Sequence, residues 1–102
     1  MKTIFVYGIL QKGESAKSFG LKDEYWKGRA RLDGYTRYSL TSIYKGHEDD
    51  KVFGDVFEVP DELEESLYRF EKQYGYYRGN TYPKLSIGLE PVKCISYLLP
   101  EL

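Results

Sequence analysis

The sequence predicts an α+β domain: a small, mostly antiparallel sheet curled into a β-barrel, with a flanking helix. Three observations carry this expectation. Eleven tyrosines and five phenylalanines favour pleated, half-buried surfaces. A single segment, PDELEESLYRFEKQYG, combines helical periodicity with a start and a stop signal. The remaining apolar runs are short and turn-bounded, and they do not alternate with further helices, which argues against a parallel βαβ layout.

The elements follow in order. KTIFVY at 2–7 reads as a strand that stops on Tyr7-Gly8, and residues 8–24 read as a long loop with at most one helical turn. Trp26 to Leu32 and Tyr35 to Leu40 are β-like pieces divided by Asp33-Gly34, a hairpin or corner dipeptide. GHEDD at 46–50 is a turn. Lys51 to Val59 is the next strand, and Gly54 inside it marks a bulge or a close backbone approach. The helix spans 61–73, with Asp61 as cap, Glu64 three residues on, and Gly75 as the stop. Its apolar stripe is Leu63, Leu67, Phe70 and Tyr74. Tyr77 to Leu85 and Val92 to Leu99 complete the sheet.

A chain of 102 residues fits one domain, 1–102, with little surface left for a second. Fifteen basic against sixteen acidic residues leave no electrostatic footprint for a nucleic-acid backbone. One cysteine, Cys94, makes no internal disulfide, and no stretch has the layout of a membrane span or a signal peptide. The expectation is a cytoplasmic protein that binds neither nucleic acid nor membrane, and the aromatic content leaves a homodimer open.

Chemistry-bearing residues are few. On a helical wheel Glu71 lies about 70° from the centre of the apolar stripe, on the shoulder of the buried face. A carboxyl held against aromatic and apolar groups loses hydration, which raises its pKa and suits it to acid/base work near neutral pH. The alternative is an outward salt bridge to Lys72, Arg69 or Arg78. Glu64 falls near Glu71 but belongs to the first turn, where capping explains it. His47 beside Glu48, Asp49 and Asp50 reads as a solvated turn, because metal sites draw ligands from several fixed elements. Cys94 reads as a buried structural thiol. No metal or cofactor is expected.

Three motifs, Tyr7-Gly8-Ile9-Leu10, Gly54 through Val59, and Glu71 ahead of Tyr76-Tyr77-Arg78, fall in an order that resembles the gamma-glutamylcyclotransferase-like superfamily, in particular its short members. The resemblance runs over most of the chain and implies a small barrel with flanking helices. It also implies a γ-glutamyl small-molecule substrate, with Glu71 as the catalytic acid/base. By the same resemblance, Tyr7, Gly8, Ile9 and Leu10 bind the substrate's α-carboxylate through backbone amides, with Tyr77 as a further substrate-binding residue and Tyr82 another candidate wall. Ile9 stands where the family often has Ser or Thr, and Lys72 where Gly often follows the glutamate. Two functions are compatible with this pattern. One is an enzyme releasing 5-oxoproline from a γ-glutamyl amine or peptide; the other is a catalytically silent small-molecule-binding or interaction domain that retains the fold.

Overall fold

Alternation along the first strand sets the layering. In the computed structural model, which describes residues 1–8, 13–39 and 42–100, β1 (Lys2–Val6) sends Ile4 and Val6 into one buried cluster and Phe5, followed by Tyr7, into another. A strand does this because successive side chains point to opposite faces. Ile4 and Val6 pack with Leu67 of α2 (Asp61–Lys72) and Ala16 of α1 (Glu14–Ser18). Phe5 and Tyr7 pack with Ile43 of a β-hairpin, β3 (Tyr35–Ser39) with β4 (Ser42–Lys45).

Between these layers lies one six-stranded sheet. It adds β2 (Trp26–Asp33), β5 (Lys51–Val59), β6 (Tyr77–Thr81), β7 (Lys84–Leu85) and β8 (Cys94–Leu98), in the order β6-β8-β1-β5-β2-β7. Among its described pairings β1 and β8 run parallel, Ile4 opposite Ile95, and the rest are antiparallel. The expected α+β character and antiparallel bias are present. The sheet, however, is not closed into a barrel. Its edges are β6 and the two-residue β7, consecutive strands separated by Tyr82-Pro83. Proline has no N–H to donate to a ladder. The single strand expected over Tyr77 to Leu85 is thus split in two, and the segment expected over Val92 to Leu99 pairs only from Cys94 to Leu98.

Residues 8–24, expected as a loop, include α1 and end in a 3-10 turn at Asp23–Tyr25. Gly34, at φ +81, makes the expected corner after β2; its amide donates to Asp50 O and its carbonyl accepts from Gly46 N–H, so the hairpin leaves the main sheet. Gly54 is a close approach and not a bulge: a Cβ there would meet Val6 O at 2.2 Å. The irregularity in this ladder falls between Trp26 and Gly28.

The start of α2 differs from expectation. Pro60 occupies the cap position, and its carbonyl accepts from Leu63 and Glu64 N–H. Asp61 instead pairs with the N-terminal ammonium at 3.0 Å. The expected stop holds: Gly75 takes φ +88, and the Glu71 carbonyl accepts from Tyr74 and Tyr76 N–H at 2.9 and 3.3 Å. Because α2 ends at Lys72, Tyr74 lies beyond the helical stripe and is exposed, with its ring against Phe70.

Candidate active site

The parallel pair β1 and β8 ends on the same side of the sheet, and there the helix layer and the hairpin layer meet. Tyr7, just past β1, is buried; its hydroxyl donates to Tyr97 O on β8 and accepts from Ile43 N–H on β4. The Arg37 guanidinium sits 5.9 Å from the Tyr7 ring centroid. Tyr76, immediately after the Gly75 turn, is half-buried and shares a 2.8 Å hydrogen bond with the buried Ser42 hydroxyl. Glu71, in the last turn of α2, lies close enough to act electrostatically on the Tyr7 phenol, as does Tyr76. Burial first, then Tyr76 and Glu71, hold that phenol protonated well above the ordinary tyrosine range, against the opposing pull of Arg37 and the Ile43 amide.

Glu71 itself is half-buried, and desolvation raises its pKa above the ordinary glutamate value. Among the described residues no cation pairs with its carboxyl and no donor bonds to it. The expected shoulder position is therefore present, and among the described residues the outward salt bridge to Lys72, Arg69 or Arg78 is not; Arg78 is engaged elsewhere. Its guanidinium grips Glu64 at 2.8 and 3.0 Å and Glu65 at 2.6 Å, and lies 3.9 Å from the Tyr68 ring centroid. Glu64, expected as a cap residue, is 3% exposed and also accepts from the Tyr97 hydroxyl at 2.9 Å. Helix α2 thus carries two carboxyls on its inner side with opposite environments: Glu64 tied to a cation and a phenol, Glu71 left without either.

Of the residues expected at the site, Glu71 lies within electrostatic reach of Tyr7, and Gly8 follows Tyr7 directly. Ile9 and Leu10 lie outside the described residues. Tyr77 on β6 and Tyr82 beyond it are 44% and 57% exposed. Tyr76, one position earlier in the YGYYR run, acts electrostatically on Tyr7. Ser42, Ile43 and Arg37 were not expected at the site. Arg37 carries no helical or alternating signal, and the strand holding Ser42 and Ile43 is four residues long. Tyr76 was legible as the residue after the Gly75 stop.

Other candidates are structural. Cys94 is buried and free, its thiol pushed up to about 12 by desolvation. His47 is exposed in its turn, where its N–H donates to Asp50 Oδ2 at 3.1 Å. Asp55, 3% exposed, accepts from Trp26 Nε1–H at 2.9 Å and faces Arg29 at 3.5 Å. Among the described residues no group of three His, Cys, Asp or Glu side chains could hold a metal ion, and no helix is long and apolar enough to cross a membrane.

Comparison with known proteins converges on one family. Among solved structures, an uncharacterized protein from Pyrococcus horikoshii is 26% identical over 100% of this chain and 80% of its own, with a TM-score of 0.73. A gamma-glutamyl cyclotransferase matches 98% of this chain and 67% of its own at 19% identity and a TM-score of 0.75. An AIG2-like protein from Mus musculus matches 96% and 76% at 21% identity and a TM-score of 0.71. The last two show a shared fold. No curated protein matches the chain significantly. The sequence profile of the gamma-glutamyl cyclotransferase, AIG2-like family matches residues 4–102, so the chain belongs to that family.

Proposed function

We propose that the protein releases 5-oxoproline from a γ-glutamyl amine or peptide, with Glu71 as the single acid/base group. The observation that supports this reading is a half-buried carboxyl of raised pKa, without a cation or donor among the described residues, beside the buried phenol that ends β1.

The reaction closes on itself. The Glu71 carboxylate takes one proton from the substrate's α-ammonium, and the freed nitrogen attacks the γ-carbonyl carbon of the same molecule. The new C–N bond closes a five-membered ring. As the tetrahedral centre collapses, the bond to the original amine breaks, and that nitrogen receives the proton from Glu71; the carboxylate then takes the second proton from the ring nitrogen and passes it to the departing amine. Products are 5-oxoproline and the amine as its ammonium ion; no water is consumed and no electrons change hands. Ring closure within one molecule gives a large proximity advantage, so one well-placed proton carrier suffices. By the family resemblance, the α-carboxylate rests on backbone amides of Gly8 and the residues that follow it, since successive N–H groups suit an anion. Tyr7, bonded on both sides, acts as a fixed wall.

The test is Glu71→Gln, which keeps the side chain's shape and removes its basicity. Release of 5-oxoproline from a panel of γ-glutamyl amines and peptides should fall by at least about a hundred-fold, the scale of a general base, while circular dichroism stays unchanged and the panel still binds. Equal turnover by both proteins refutes Glu71 as the proton carrier. A wild type that binds members of the panel and turns none over makes the protein a silent binding domain.

A further inference from the structure

A groove of about 730 Å³ opens where the β3–β4 hairpin faces the chain just after β8. Tyr38 and Tyr44 form one wall, their rings edge-on at 6.3 Å, and Leu99 lies on the other side. Lys45 is also part of the lining; it is exposed and, among the described residues, makes no ion pair. Two buried lining residues tie the groove to the reaction centre: Ser42 bonds the Tyr76 hydroxyl, and the Ile43 amide bonds the Tyr7 hydroxyl.

We infer that this groove receives the departing amine, and that it selects an aromatic or large apolar amino acid whose free carboxylate reaches Lys45. The inference rests on the proposed cyclisation, in which Glu71 hands a proton to that amine. The leaving group therefore starts beside Glu71 and has to extend away from it. Ser42 and Ile43, which bond Tyr76 and Tyr7, also line the groove, so the groove adjoins the residues around Glu71. Tyrosine faces and Leu99 favour a flat apolar body. Lys45, the one cation among the described lining residues, favours a carboxylate and disfavours a leaving group that carries a second positive charge.

The preferred substrates are then γ-glutamyl-phenylalanine and its like. Wild-type kcat/KM is expected to exceed that for γ-glutamyl-alanine by about ten-fold or more, the worth of a filled apolar pocket. It should exceed that for γ-glutamyl-phenethylamine, which has the ring but no carboxylate, by about three-fold, the scale of an exposed ion pair. Tyr44→Ala should shrink the first ratio and Lys45→Gln the second, each without moving the other. Equal kcat/KM for the phenylalanine and alanine compounds overturns the groove assignment while leaving the cyclisation standing. The same compounds are titrated calorimetrically against wild type and Glu71→Gln. Tighter binding of γ-glutamyl-phenylalanine without release of 5-oxoproline upholds the groove as a binding site and refutes the reaction; no turnover and no binding preference refutes both.

Discussion

Glu64 and Glu71 are two turns apart on one helix and differ in what surrounds them, which decides what each can do. Glu64 meets a guanidinium and a phenol; Glu71 meets neither among the described residues, and desolvation raises its pKa. A carboxyl whose folded pKa is raised above its unfolded value binds its proton more tightly in the folded state. Folding stability then falls as pH climbs from the ordinary glutamate value of 4.5 through the raised one. Glu71→Gln removes that burden, so its melting temperature should lie above wild type at pH 7, with the gap closing below about pH 4.5. A thermal melt series across pH checks this, and a variant less stable than wild type at pH 7 contradicts it. The same raised value places the acidic limb of the wild-type kcat/KM profile above the usual glutamate range, because the protonated carboxyl cannot accept the substrate's proton.

At the level of elements, legibility tracked local signals. Strand β5 was read at its observed bounds because Lys51 to Val59 is a long apolar run closed by proline, and α2 because its period and Gly75 agree. Strand β4 was missed because four residues ending in Tyr44-Lys45 carry no alternation strong enough to separate strand from turn. The role of Glu64 was misread for a different reason: its position fits first-turn capping, and only the return of β6 beside α2 supplies Arg78 as partner. That ion pair ties α2 to β6, and through the Tyr97 hydroxyl to β8. Arg78→Met should leave a buried carboxylate without its cation and cost about 2–3 kcal/mol, below the range for a fully buried pair because Arg78 is partly solvated. Urea unfolding measures it; a loss under about 0.5 kcal/mol, the size of a surface substitution, would show that the pair holds nothing together.

Over the whole molecule, the sheet is covered on one face by helices and on the other by a two-stranded hairpin, and the candidate site is where the two coverings touch. The sequence contained the motifs at both ends of this arrangement and, by resemblance, their shared site, but not the part the hairpin plays, since Tyr7, Ile43 and Tyr97 come from segments far apart in the chain. Expectation of a barrel failed for a related reason: closure depends on whether β6 and β7 pair with each other, which no local pattern encodes. The hairpin belongs to a separate two-stranded sheet, so side-chain contacts hold it at the site end: the Ile43 amide on Tyr7, Arg37 against the Tyr7 ring, and Ser42 on Tyr76. Tyr7→Phe keeps the ring and removes the hydroxyl, leaving the Ile43 amide and the Tyr97 carbonyl without that partner. An unsatisfied buried polar group costs about 1–3 kcal/mol, and the loss should fall unevenly. Amide hydrogen exchange is expected to quicken across β3 and β4 while the β1–β5 ladder, held by its own backbone bonds, stays protected. Activity should fall with it, because the Tyr7 wall and the Ser42–Tyr76 bond would no longer be fixed relative to Glu71. Uniform acceleration across the hairpin and the β1–β5 ladder would show instead that the hydroxyl stabilises the fold as a whole and does not clamp the hairpin to the site.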